Sequence, residues 1–177
     1  MADSDEIPDI VQRGYVLAYS PRSGDFNVNV MALTAVLFFL LTFVLASPVL
    51  LMPAAAAICV AYYYYPLKER TPRIGAGQYG LFIDGLGLLS WRMIKNIEKV
   101  SYTSRVAQTH ELRIHLSVPL DQALLADWRN LPIWRLLMKL PWHMSDDEVI
   151  RIPLEPFEPT ADEIRSKLLQ IWDYCRY

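Results

Sequence analysis

The sequence predicts an α+β membrane protein, in which a hairpin of two transmembrane helices precedes an antiparallel β-domain, a barrel or a sandwich, capped by a C-terminal helix. Three observations predict this class. Residues 29–66 contain no Asp, Glu, Lys or Arg. The chain beyond residue 78 consists of short β-prone runs separated by turn residues. An amphipathic stretch with a helix start signal closes the chain.

The charge-free run is long enough for two membrane spans. It covers 38 residues, whereas one span needs about 20 apolar residues. Ser47-Pro48 interrupts it, because proline lacks a backbone donor and disfavours helix at the residue before it. We therefore expect spans at about 29–46 and 49–65. The alternative is a buried helical hairpin in a soluble protein; a signal peptide is disfavoured, because the first 28 residues are acidic.

Basic residues predict the orientation of these spans. Lys68, Arg70 and Arg73 follow the second span directly, whereas the turn at Ser47-Pro48 carries no charge. Lysine and arginine accumulate on the cytoplasmic side of a membrane. Both termini of this multi-pass chain, including the segment 1–28, are therefore expected in the cytoplasm.

Four consecutive tyrosines end the second span, namely Tyr62, Tyr63, Tyr64 and Tyr65. Tyrosine favours the headgroup level of a bilayer, where its ring is apolar and its hydroxyl is hydrated. We interpret the four as a membrane-interface anchor. An aromatic-ligand site is the alternative, but consecutive helix residues point in different directions.

Residues 14–20 predict a short strand or an interfacial stretch. As a strand, this segment could pair with the C-terminal domain only if both lie on one face of the membrane. The linker 67–78 follows the hairpin. The glycine-rich residues 75–80 superficially resemble a phosphate-binding loop, but they precede a predicted strand, so no helix N-terminus would hold a phosphate. We interpret them as a flexible linker. Strands are then expected near 79–84, 87–92, 96–103, 111–118 and 148–153.

Local signals mark a turn and a helix in this β-domain. Asp84-Gly85 predicts a hairpin turn, because both residues tolerate positive φ. Thr160 and Glu163 predict a capping box at the start of the C-terminal helix. The apolar stripe of that helix consists of Ile164, Leu168, Ile171 and Trp172.

The segments YGLFIDGLGLLSWRMIKNIEKV (79–100) and PTADEIRSKLLQIWDYC (159–175) resemble the bacterial pleckstrin-homology-like (PH-like) domains, particularly in small membrane proteins where two spans precede such a domain. The resemblance implies a PH-like domain over 79–177 and a location at the bacterial inner membrane. It also implies a non-enzymatic binding scaffold that presents this domain to a protein partner or to anionic lipid.

Residues 119–145 depart from that pattern and are expected to form a helical insertion. Their tryptophans alternate with basic residues, a mixture that favours the boundary between acyl chains and anionic headgroups. The insertion either lies on the bilayer or packs on the sheet. The residues expected to bind lipid or a partner are Arg92, Lys95, Lys99, Trp128, Arg129, Trp134, Arg135 and Lys139.

The composition disfavours other classes of function. The 177 residues carry a formal net charge of −2, so no nucleic-acid partner is expected. Cys59 and Cys175 lack a spacing that would pair them or form a metal site with a histidine, so we expect free thiols, no metal and no cofactor. No spacing assembles a catalytic pair or triad, so no catalytic residue is predicted.

Two rival functions remain open. The chain could be an accessory subunit of a larger membrane complex, in which the spans and the tryptophan-rich insertion pack on other subunits. Separately, the alanines at 54–57 would let another helix approach closely. The first span is their obvious partner, and oligomerisation is a further option. The second rival is a membrane-bound lipid-processing enzyme, for which Asp147 or His143 would be the residue to test.

Overall fold

The computed structural model describes residues 14–103, 108–146 and 148–176. The chain forms two compact units. The β-domain comprises the described parts of 1–18, 71–131 and 140–177. The hairpin unit comprises Tyr19–Arg70 and Pro132–Lys139.

Two apolar helices form most of the hairpin unit. They are α1 (Pro21–Val44) and α2 (Leu51–Tyr64), and short 3-10 turns at Pro48–Leu50 and Tyr65–Leu67 flank α2. The break predicted at Ser47-Pro48 is confirmed, and Ala46 before it has a φ of 47°. The first helix begins earlier than the expected residue 29, because Pro21 has a fixed φ that suits the first helical position.

The first sheet of the β-domain contains five antiparallel strands in the order β1-β2-β3-β4-β7. The strand expected within 14–20 is confirmed as β1, in which Tyr15 lies opposite Ala76 of β2. The interpretation of residues 75–80 as a flexible linker is wrong, because β2 is held between β1 and β3. The strands are β1 (Tyr15–Ala18), β2 (Pro72–Gly77), β3 (Gly80–Ile83), β4 (Gly87–Leu89) and β7 (Leu124–Asp127).

The second sheet contains four antiparallel strands in the order β5-β6-β9-β8. The strands predicted near 96–103, 111–118 and 148–153 are confirmed as β5, β6 and β9. The additional strand β8 lies at the edge of the sheet. The β5–β6 ladder is the longest, running from Ile94 opposite Leu116 to Thr103 opposite Gln108. The strands are β5 (Ile94–Thr103), β6 (Gln108–Leu116), β8 (His143–Asp146) and β9 (Val149–Pro153).

The prediction that 119–145 is a helical insertion is wrong for most of its length. The segment contains two single-turn helices, α3 (Leu120–Ala123) and α4 (Ile133–Leu136), as well as β7 and β8. Pro119 and Pro132 stand directly before the two helices, and neither can continue a helix from the preceding turn. The apolar residues after α3 pair with β4 instead, with Ala126 opposite Leu88.

The C-terminal helix α5 (Ala161–Cys175) packs on both sheets. One of the two hydrogen bonds of the predicted capping box is confirmed: the Thr160 hydroxyl accepts a hydrogen bond from the Glu163 N–H at 3.3 Å. The predicted stripe of four apolar residues is buried. Its last member, Trp172, donates through Nε1 to the Trp91 carbonyl, and Trp91 Nε1 donates to the Gly77 carbonyl.

These contacts join the two sheets and α5 around one core. The prediction of an antiparallel α+β domain capped by a C-terminal helix is thereby confirmed. Over the described residues neither sheet closes on itself, so the barrel form of that prediction is not found.

Candidate functional site

The surface of the hairpin unit is strongly apolar. Gly24–Val44 and Pro48–Leu67 are both long and apolar enough to cross a membrane. Most of their large side chains point outward: Leu33 is 71% exposed and Phe43 is 70% exposed. An isolated exposed apolar residue is normal in a soluble protein, but a continuous apolar surface marks a lipid or protein contact.

Small residues hold the two helices together. Ala35 of α1 and Ala54 and Ala57 of α2 are buried, so the helices approach closely. The pairing expected between the alanines at 54–57 and the first helix is therefore found. Beside the contact lies an open apolar groove of about 370 Å³. It is lined by Ala32, Ala35, Val36, Phe39, Ala54, Ile58 and Ala61.

Residues Pro132–Lys139 belong to the hairpin unit and contact the tyrosine end of α2. The Tyr62 hydroxyl donates to the Trp134 carbonyl at 2.8 Å. The Lys139 N–H donates to the Tyr63 carbonyl at 2.9 Å, and Lys139 Nζ lies 5.5 Å from the centre of the Tyr64 ring. The tyrosines that were predicted to anchor the chain at a membrane interface thus contact a segment that is distant in sequence.

The residues expected to bind lipid or a partner are divided between the two units. Arg92, Lys95, Lys99, Trp128 and Arg129 lie in the β-domain. Trp134, Arg135 and Lys139 lie in the hairpin unit. The sequence could not separate these groups, because the boundary at residue 132 follows from tertiary contacts with α2.

Two of the five β-domain residues are engaged by carboxylates. Lys99 Nζ lies 2.5 Å from Asp162 Oδ1, and its hydrogen bond and charge hold the pKa of Asp162 below the usual range. Arg129 contacts both Asp121 and Asp127 at 2.6 and 2.7 Å. Hydrogen bonds from Arg129 lower the pKa of Asp127 to about 2. Both cations would have to exchange these partners to bind a phosphate.

The remaining cations of the β-domain are more accessible. Arg92 and Lys95 are exposed near the start of β5. Trp128 is 51% exposed, with its ring edge-on to Phe82 at 5.5 Å between centroids. A polar recess of about 250 Å³ lies beside Arg129, between Leu120 and Met144. Because Asp121 also lines the recess, it is not a purely cationic site.

Sequence reasoning missed one ionic pair inside the β-domain. Arg73 is buried and pairs with Asp84 in the β3–β4 turn, and the Asp84 N–H donates to the Arg73 carbonyl at 2.8 Å. The predicted turn is present, but only Gly85 has a positive φ, of 75°. The Asp84 carboxylate is instead the partner of a buried cation.

The positions of the histidine and acidic side chains bear on the metal and enzyme alternatives. Over the described residues, no three His, Cys, Asp or Glu side chains lie close enough to hold a metal ion. Asp147, one of the two residues suggested for an enzymatic role, lies outside those residues. His143 is exposed at the start of β8. The other two histidines have separate partners, since His110 bonds to Ser101 and His115 to Glu98.

Comparison with known proteins finds no matching family model, no similar curated protein and no similar solved structure. The chain's own residues therefore carry the functional proposal.

Proposed function

We propose that this protein is a membrane-anchored, non-enzymatic scaffold that presents its β-domain at the inner face of a bacterial membrane. Its partner is a protein or anionic lipid. The observation that carries the proposal is that the strand before the apolar hairpin pairs with the strand after it. The exposed apolar surface of the hairpin supports membrane insertion.

The pattern of exposure in the hairpin favours lipid as its surroundings. In water, each large apolar side chain left exposed forgoes about 1.5–3 kcal/mol of burial free energy. Many side chains of α1 and α2 are in this position, Leu33 and Phe43 among them. In a bilayer the same side chains face hydrocarbon, and the helical backbone satisfies its own polar groups.

The β1–β2 pairing restricts the path across the membrane. Tyr15–Ala18 precedes α1 and Pro72–Gly77 follows α2, yet they form one antiparallel ladder. The two ends of the hairpin must therefore lie on the same side of any membrane that the hairpin enters. Two helices of spanning length satisfy this by crossing in opposite directions. Lys68 and Arg70, which follow the 3-10 turn at the end of α2, favour the cytoplasm for that side.

The architecture of the β-domain supports the scaffold half of the proposal. Two antiparallel sheets and a C-terminal helix that packs on both of them agree with the elements expected of a PH-like domain. Such a fold does not define a ligand. The exposed Arg92 and Lys95 supply positive charge near the start of β5, which favours an acidic partner surface.

Single-cysteine labelling in intact cells tests this topology. In a Cys59→Ser/Cys175→Ser background, Ser47→Cys marks the interhelical turn and Thr109→Cys marks the β-domain. We expect a membrane-impermeant maleimide to label position 47 in intact cells, and position 109 only after the cells are permeabilised.

Both variants must first resist alkaline extraction from membranes. Release of the chain by alkali would contradict membrane insertion. Labelling of position 109 in intact cells would contradict the orientation. Capture of partners by crosslinking through Asn96→Cys, an exposed position beside Lys95, is compared with Thr109→Cys. The scaffold role fails if the two positions yield the same background.

An accessory subunit of a larger membrane complex is the second candidate. The groove beside Ala35 and Ala54 favours it, because its small and apolar lining would accept one further transmembrane helix. Ala32→Leu would narrow this groove. It should abolish detergent-stable association with a partner subunit while leaving extraction from the membrane unchanged.

A further inference from the structure

We infer that residues 132–139 form a third membrane-contacting element, which enters the headgroup region beside the end of α2 and binds anionic lipid. The inference rests on the proposed membrane insertion of the hairpin and assigns the lipid contact to this segment. We call residues 132–139 the interfacial segment.

The interfacial segment is held at a defined place on α2. The Tyr63 carbonyl belongs to the last turn of that helix, where carbonyls have no partner within the helix. It accepts the Lys139 N–H at 2.9 Å. At the other end of the segment, the Tyr62 hydroxyl donates to the Trp134 carbonyl at 2.8 Å. Two hydrogen bonds thus hold the segment at the level of tyrosines that favour a membrane interface.

The segment is held there with its apolar side chains outward. Ile133 is 79% exposed and Leu137 is 62% exposed, and Trp134 and Leu136 are more than half exposed. Four such residues among eight would be costly in water. Because the segment is fixed to the end of an apolar helix, acyl chains and headgroups are the environment adjacent to it once the hairpin is inserted.

The charges of the segment select the type of lipid. It contains Arg135 and Lys139 and no carboxylate. Lys139 differs in this respect from Arg129, a few residues earlier, which is bound by Asp121 and Asp127. Lys139 Nζ instead lies over the Tyr64 ring, an arrangement that keeps its charge available to an anionic headgroup. Tryptophan and cations side by side are typical of interfacial elements.

Depth-dependent quenching in vesicles tests the insertion. The full-length chain, with Cys59→Ser and Cys175→Ser, carries an environment-sensitive fluorophore at Leu137→Cys or, as a control, at Thr109→Cys. We expect lipids with a quencher near the headgroup to quench position 137 at least threefold relative to quencher-free vesicles. Position 109, which is exposed and polar in the β-domain, reports the quenching outside the segment.

Resistance to alkaline extraction is measured on the same vesicles, so the two proposals can fail separately. If the chain is extracted, the membrane hairpin itself is refuted. If it resists extraction but position 137 is quenched no more than in quencher-free vesicles, the hairpin stands and the interfacial segment is refuted. A water-exposed or protein-covered segment would give this second result.

Charge selectivity is tested by comparing how strongly quencher-labelled phosphatidylglycerol and phosphatidylcholine, at equal mole fractions, quench the fluorophore at position 137. The ratio of the two is the preference for anionic lipid. One basic residue near the surface contributes about 1 kcal/mol, or roughly a fivefold preference for anionic lipid. Lys139→Gln should lower that preference by about fivefold. Arg165→Gln, an exposed residue of α5, should leave it unchanged. Equal effects of the two variants would overturn the assignment of the anionic-lipid site to this segment.

Discussion

The two units differ in where their large apolar side chains lie. The β-domain buries them in its core, whereas the hairpin unit exposes most of them. In the β-domain, Ile83, Ile114 and Ile150 have no exposed surface. In the hairpin unit, Leu33 and Phe43 are mostly exposed, and the buried residues of α2 are Ala54 and Ala57. One chain therefore contains a region organised by burial from water and a region whose helices associate through small residues, which is the packing expected within lipid.

The two units also differ in their charged residues. The β-domain keeps a buried cation, Arg73, by pairing it with Asp84, whereas residues 29–66 of the hairpin contain no charged residue. A buried ion is tolerated where a partner and hydrogen bonds compensate for its lost hydration. Substitutions that change charge should therefore have the most different effects in the two units.

The largest loss of stability is expected when the buried ion pair between Arg73 and Asp84 is broken. Asp84→Ala removes the carboxylate and leaves the Arg73 charge in the core, so it should lower the free energy of unfolding by about 3 kcal/mol. Asp121→Ala is the matched control, because Asp121 is exposed and Arg129 retains Asp127. Chemical unfolding in detergent, followed by tryptophan fluorescence, measures both. Similar shifts for the two variants would contradict the role of the pair.

The next effect is expected on the hairpin surface. Leu37 is 55% exposed in α1, and arginine at the centre of a membrane span costs about 3 kcal/mol. Leu37→Arg should therefore sharply reduce the fraction of chain that resists alkaline extraction. Thr109→Arg adds the same charge to an exposed position of the β-domain and should have no effect. If Leu37→Arg is tolerated equally well, the hairpin surface faces water.

The smallest effect concerns the strand that precedes the hairpin. Burial, assisted by the charge of Glu163, raises the pKa of Tyr15 from 10.0 to about 12. The neutral ring therefore contributes stability that is fully present below pH 10 and is lost as the pH rises from 10 to 12. Its buried hydroxyl has no hydrogen-bond partner among the described residues.

Tyr15→Phe should accordingly change the unfolding temperature little at pH 7 but reduce the loss of stability between pH 10 and 12. Tyr174→Phe, at an exposed position of α5, should alter neither. Thermal unfolding at pH 7, 10, 11 and 12 distinguishes the variants. A Tyr15→Phe profile identical to that of the original chain would argue against a buried Tyr15.

Features with short-range signals were predictable from the sequence. The break at Ser47-Pro48, the Thr160 cap and the buried stripe of α5 each depend on neighbours within a few residues. The pairing of β2 was not predictable in this way. Its glycine-rich sequence has little strand propensity, and it is a strand because β1 and β3 bond to both of its edges.

The candidate site was predictable in composition but not in arrangement. The mixture of tryptophan and basic residues in 119–145 pointed to an interface. Which of these cations are engaged by carboxylates depends on the turn that brings Arg129 to Asp121 and Asp127. Likewise, Arg73 was interpreted only as a flanking charge, because its partner in the β3–β4 turn becomes a neighbour through strand pairing.

The ladder between β1 and β2 also sets an order of events during synthesis. β1 leaves the ribosome more than fifty residues before β2, and both apolar helices emerge in the interval. The five-stranded sheet therefore cannot be completed until the hairpin has been made. A shortened chain beginning at residue 71 would leave the outer edge of β2 without its partner, and an open strand edge of this kind promotes aggregation.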